Sequence, residues 1–124
     1  MEEKLIHEIN LLHEQVCDAL DNPVRVMILY SLRSHPRFVT DIADELRLPQ
    51  SSVSRHLKVL RDRGLVLPRR VGSAVYYELT DLRVLQALDL LRDIMSDRLH
   101  RQVEIADAEF GAQRGTADAS EAAS

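Results

Sequence analysis

The run from Ser51 to Arg63 constrains the fold most, because it ends at Gly64 and is followed at once by two alternating segments around Gly72-Ser73. On a 3.6-residue period Val53, Leu57 and Leu60 fall on one side, while Ser51, Arg55, Lys58 and Asp62 fall opposite. Glycine just past the last periodic residue stops a helix by taking the left-handed conformation. The expected element is a helix anchored in a core by its back, with hydroxyls and cations in front. Leu65-Val66-Leu67-Pro68-Arg69-Arg70 and Ala74-Val75-Tyr76-Tyr77-Glu78-Leu79 then read as a β-hairpin closed by the Gly72-Ser73 turn. Val75, Tyr77 and Leu79 alternate with Tyr76 and Glu78, which predicts one buried and one exposed face. Pro68 cannot donate to a ladder and puts its strand at a sheet edge. A bare two-stranded hairpin is marginal, so this one must rest on the helices.

Such a helix face suits the major groove of DNA, where arginine pairs bidentately with guanine and serine reaches base edges or phosphates. The helix N-terminus adds free N–H groups and a positive dipole end. Ser51, Ser52, Ser54 and Arg55 are the expected readers, with Gln50 and Lys58 in support. Arg69, Arg70 and Ser73 sit near the hairpin tip, where a minor groove or a phosphate would meet them. His56 lies about 60° from the buried axis, so packing at the boundary and contact with DNA are both open to it. The bland alternative for the whole face is a solvated amphipathic helix.

The preceding chain supplies the support. Leu5, Ile9, Leu12, Val16 and Leu20 line one side of an amphipathic helix over Lys4–Leu20. Asp21 or Asn22 caps the next helix, with Pro23 at its first position and Val24, Met27, Ile28 and Leu32 inward. Thr40 caps a short helix whose Ile42, Ala43 and Leu46 face the core, and Leu48-Pro49 turns the chain into the serine-rich helix. Thr80 or Asp81 begins the longest helix, in which Leu82, Leu85, Leu88, Leu91, Met95 and Leu99 form an apolar arc wider than one small domain can cover. A second copy of the chain is the expected cover.

One domain over residues 1–106 and a disordered tail of small and acidic residues over 107–124 account for the 124 residues. The net charge of −4 argues against nucleic acid only until its distribution is considered. From Met1 to Asn22, Lys4 alone opposes Glu2, Glu3, Glu8, Glu14, Asp18 and Asp21, a net of −5. From Ser51 to Tyr77, Arg55, Lys58, Arg61, Arg63, Arg69 and Arg70 oppose Asp62 alone, a net of +5. One cysteine, Cys17, excludes an intramolecular disulfide and fits a reducing compartment. With no apolar leader and no membrane-length apolar run, a cytoplasmic protein without a membrane partner is expected. No glycine-rich phosphate loop, nucleophile elbow or His-Glu zinc motif is present, and Ser54 and His56 diverge on their helix, so no enzyme is expected.

Ala19-Leu20-Asp21-Asn22-Pro23-Val24-Arg25, Ile42-Ala43-Asp44-Glu45-Leu46, Ser52 through Val66, and Arg70 through Tyr77 together resemble the ArsR/SmtB family of bacterial winged-helix repressors. The resemblance runs from about Val16 to Leu99. It implies a mainly α winged helix-turn-helix with a small β-hairpin, dimerised through its first and last helices. It also implies double-stranded DNA as partner, an inverted-repeat operator, and in many members release by a metal, a reactive sulfur species or another inducer. Twofold symmetry then sets half-site centres about 34 Å apart, or a multiple of that.

The family's sensing sites do not carry over. Where many relatives place thiolate pairs, this chain has Phe38-Val39-Thr40-Asp41. Where others bind zinc across the last helices, it has Asp81 with Arg83, and Ile94 with Asp97. Both imidazoles are lost, and borderline ions need those nitrogens. No cofactor is therefore expected. The remaining metal or redox candidates are His13 and Cys17, four residues apart, with His100 of a second copy, although Cys17 reads first as a small buried hydrophobe. A winged-helix module that meets an acidic protein is the rival of another class.

Overall fold

The structure is a computed structural model that describes the backbone of residues 1–121 and the side chains of residues 1–111. Its elements are α1 (Glu3–Leu12), α2 (Pro23–Ser31), β1 (Arg37–Phe38), α3 (Val39–Leu46), α4 (Gln50–Asp62), β2 (Val66–Val71), β3 (Ala74–Leu79) and α5 (Arg83–Glu121).

The expected first helix is present, but it changes pitch. After α1 the segment His13–Cys17 is π-helical, with the Asp18 N–H donating to the His13 carbonyl at 2.9 Å. A π turn spreads one extra residue over the turn and leaves carbonyls short of partners. Chain reversal follows at Asp18–Asp21. Asn22 caps α2 as expected, its side-chain oxygen accepting from the Val24 N–H at 2.8 Å, with Pro23 at the first turn where no donor is missed. The buried arc of α2 is Ile28, Leu29, Ser31 and Leu32. Met27, expected inside, is half exposed because that arc is centred about one residue further along. Ser31 is tolerated there because its hydroxyl donates to the Ile28 carbonyl at 2.6 Å.

Two further differences share one cause. The sheet has three strands in the order β1-β3-β2, and Arg37 and Phe38 pair with Tyr77 and Tyr76. Because β1 runs straight into α3, Phe38 holds the cap position, and Thr40 lies inside the first turn rather than capping it. With β3 central, every one of its residues is half-buried, and the expected alternation of a buried and an exposed face is absent. Tyr76 packs its ring on Phe38 at 3.9 Å between centroids, and Glu78 pairs with Arg69. Pro68 sits on the edge strand β2, opposite Tyr77, as its missing donor requires.

The core gathers Ile28, Leu29 and Leu32 of α2, Ile42 and Ala43 of α3, Val53, Leu57 and Leu60 of α4, Val66 of β2 and Leu85. Contacts divide the chain after Leu85. From Gln86 to Gly111 no side chain is buried, and Leu91, Ile94, Met95 and Leu99 are more than half exposed. The backbone over 107–121 is helical, whereas its composition predicts a disordered tail. Much of that stretch lies outside the described side chains, and the boundary at Ala106 remains a proposal.

Candidate nucleic-acid interface

Helix α4 is fixed from behind and open in front. Val53, Leu57 and Leu60 are fully buried, while Gln50, Ser51, Ser54, Arg55 and Lys58 are exposed. The turn before it is made without glycine: Arg47 takes the left-handed conformation at φ 56°, and the Leu48 N–H closes on the Ala43 carbonyl at 3.0 Å. Pro49 then starts α4 with no side chain capping it, so its first N–H groups are not taken by any side chain. At the far end Gly64, at φ 75°, lets the Leu65 N–H reach the Leu60 carbonyl at 2.9 Å and drop the chain into β2.

Five of the expected readers and supports thus share one exposed face, and Ser52 and His56 are half-buried beside it. The His56 Nδ1 is buried without a partner. Burial pushes the His56 pKa below its ordinary value, with the charges of Arg25 and Arg55 adding to the effect. His56 is therefore a boundary residue first.

Arg70 and Ser73 are exposed at the hairpin end, next to Gly72 at φ 63°. A positive φ at the first central residue alone matches a type II′ turn, which suits the twist of two antiparallel strands. Arg69 is exposed on β2 opposite Tyr76, close to the tip, and carries a partner that the sequence did not show. Its Nε donates to Glu78 across the ladder at 2.6 Å, so its charge is already answered within the sheet. Arg63 is likewise engaged, donating to the Glu14 carbonyl and the Asp18 carboxylate. Charge counting over Ser51–Tyr77 missed both, because the partners Asp18 and Glu78 lie outside that window. Among the described residues Arg55, Lys58 and Arg70 remain as exposed cations of this stretch without an ion pair.

His13 and Cys17 bound the π turn, and both are exposed. Cys17 is exposed rather than buried, because Val16 and Ala19 take the inward positions of that turn. His100 lies 3.9 Å from Glu104 on its own helix. Asp81 accepts from the Arg83 backbone at 2.9 Å and from its guanidinium through both oxygens, which holds the carboxyl down to about 2. Phe38 is occupied with Tyr76. Among the described residues no three His, Cys, Asp or Glu side chains gather into a metal-sized group, and no described helix is long and apolar enough to cross a membrane.

Three core helices, the last presenting an exposed polar face, followed by a hairpin whose base is completed by β1, define a winged helix-turn-helix protein. The family model for bacterial regulatory proteins of the arsR family matches residues 22–67. Over 71 residues the chain is 48% identical to the HTH-type transcriptional regulator NmtR of Mycobacterium tuberculosis, covering 57% of this chain and 59% of that one. The crystal structure of NolR from Sinorhizobium fredii superimposes with a TM-score of 0.66 at 31% identity, over 76% of this chain and 93% of that one. A homodimeric winged helix-turn-helix DNA-binding domain from Mycobacterium bovis gives 0.68 at 26% identity, over 82% and 93%. The chain belongs to the ArsR family. It spans about half the length of the curated relatives it matches, 59% of NmtR and 47% of an SmtB repressor.

Proposed function

We propose that the chain is a DNA-binding transcriptional regulator, a repressor that acts as a homodimer on an inverted-repeat operator in the cytoplasm and has no enzymatic activity. The observation that carries this is the α4 face: Ser51, Ser54, Arg55 and Lys58 exposed over a fully buried Val53-Leu57-Leu60 stripe. Serines and an arginine near the start of a rigidly seated helix can enter a major groove without disturbing the core. Arg70 and Ser73 serve the wing.

Pairing of two copies is supported by apolar surface left open in one chain. No residue of α1 is buried, and Leu5, Ile6, Ile9 and Leu12 are 43–52% exposed. On α5 the row Leu91, Ile94, Met95 and Leu99 is 53–61% exposed. Surface of this kind is costly to leave in water.

A fluorescence-anisotropy titration against the DNA upstream of the protein's own gene tests the reading. Arg55→Ala should lose about 1–3 kcal/mol of operator affinity and relax preference at one base pair. An unchanged titration removes Arg55 from the reading set. Failure of the unaltered chain to prefer its own upstream DNA over scrambled duplex removes the function.

A further inference from the structure

We propose that Arg63 is a positioning residue for DNA recognition: it clamps the end of α4 to the end of the first helix, and Arg25 of α2 secures the same anchor. The proposal rests on the DNA-binding reading above and assigns to these two arginines a task other than touching DNA.

The anchor is the stretch Glu14–Ala19. A helix C-terminus leaves its last carbonyls without intrahelical donors and carries the negative end of the helix dipole. The π turn at His13–Cys17 puts such carbonyls at this place. Two guanidinium groups reach this stretch, one from α2 and one from the end of α4. Arg25 donates through Nε to the Ala19 carbonyl at 2.6 Å and through Nη2 to the Asp18 carbonyl at 3.2 Å. Arg63 donates through Nη1 to the Glu14 carbonyl and through Nη2 to the Asp18 carboxylate, spanning 49 and 45 residues of sequence. A planar fork of fixed donors suits that double task, and a lysine ammonium does not reproduce it.

Arg63 stands at the C-terminal end of α4, away from Ser51, Ser54 and Arg55 near its start. Its side chain is 29% exposed, against 65% for Arg69. With its fork turned inward to Asp18 and Glu14, it is poorly placed to neutralise a phosphate. What it fixes is the angle at which α4 leaves the helix that bears the open α1 face. If two copies pair there, that angle sets how both reading helices meet one duplex.

Salt dependence separates positioning from contact. The full chain would be titrated with its operator duplex between about 50 and 200 mM salt as wild type, Arg63→Ala, Arg63→Lys, Asp18→Asn and Arg55→Ala. Arg63→Ala should weaken binding about two- to thirtyfold at every salt concentration with the slope of log K against log salt unchanged. Arg63→Lys should restore only part of the loss. Asp18→Asn should also weaken binding, although removing a negative charge would by electrostatics alone favour DNA. A slope shallower by about 1.8 in Arg63→Ala, one phosphate lost in each of two subunits, overturns the proposal. So does wild-type affinity in Arg63→Ala, or tighter binding by Asp18→Asn. Circular dichroism checks each variant, and if Arg63→Ala does not fold, the sign of the Asp18→Asn effect decides. Loss of preference for the operator by wild type would instead count against the DNA-binding reading.

Discussion

Glu78→Gln should make this protein bind DNA more tightly and with a steeper dependence on salt. Glu78 holds the Arg69 guanidinium at 2.6 Å, with the carboxylate side chain 23% exposed and the arginine 65% exposed. A pair this open contributes little to stability, about 0.2–1 kcal/mol, so the wing should survive its loss. The amide still accepts a hydrogen bond but no longer neutralises the cation. Each subunit then offers one more uncompensated charge on β2, one position before the exposed Arg70. If each new charge meets one phosphate, two subunits steepen the slope of log K against log salt by about 1.8. Between about 50 and 200 mM salt, that is roughly a tenfold greater loss of affinity than wild type suffers over the same interval. Anisotropy titrations with operator and with scrambled duplex measure both quantities. The gain should fall on both duplexes alike, since a phosphate contact carries no sequence information. A slope equal to wild type, or a gain confined to the operator, would refute the placement of Arg69 along the DNA backbone.

Leu57→Ala should destabilise the fold by about 2–5 kcal/mol in urea denaturation, because Leu57 is fully buried at the centre of the α4 anchor; a loss under about 1 kcal/mol would mean the stripe is not core. His56 gives the protein an acid sensitivity. Its folded pKa is depressed by burial and by Arg25 and Arg55, so the unfolded chain binds the proton more readily, and stability falls as pH drops below the ordinary value of 6.5. His56→Gln should flatten the urea midpoint over that window, and a midpoint that falls as steeply in the variant would locate the sensitivity elsewhere.

The helices were legible because their signals are local. Asn22-Pro23 marks a helix start by itself, Gly64 marks a stop, and Val53, Leu57 and Leu60 keep strict helical spacing, all of which the fold reproduces. The hairpin could be read for the same reason, through Gly72 and the edge proline Pro68. What could not be read is made by distant partners. Arg37-Phe38 is too short to carry a strand pattern, and becomes a strand only because Tyr76 and Tyr77 lie alongside it. Its arrival displaces the cap from Thr40 and makes β3, half-buried along its whole length, the central strand. The turn at Arg47 was silent because arginine takes a conformation there that sequence reading assigns to glycine. Of the candidate site, the exposed α4 face was legible except at Ser52, which is half-buried beside it, since opposition to a buried stripe is a property of one helix. The states of Arg63 and Arg69 were not, because an ion pair across 45 residues leaves no trace in a local charge count.

The short strand β1 has a mechanical consequence for the wing. It flanks β3 only at Tyr76 and Tyr77, whereas β2 runs beside β3 from Leu79 to Ala74. β3 is thus flanked on both sides at its middle, and the hairpin beyond becomes a two-stranded cantilever over Arg70–Val75. Bending is concentrated in the free span, where a two-stranded ribbon is least stiff. Arg70 and Ser73 can therefore follow an irregular duplex surface while the root, and the helices it leans on, stay still.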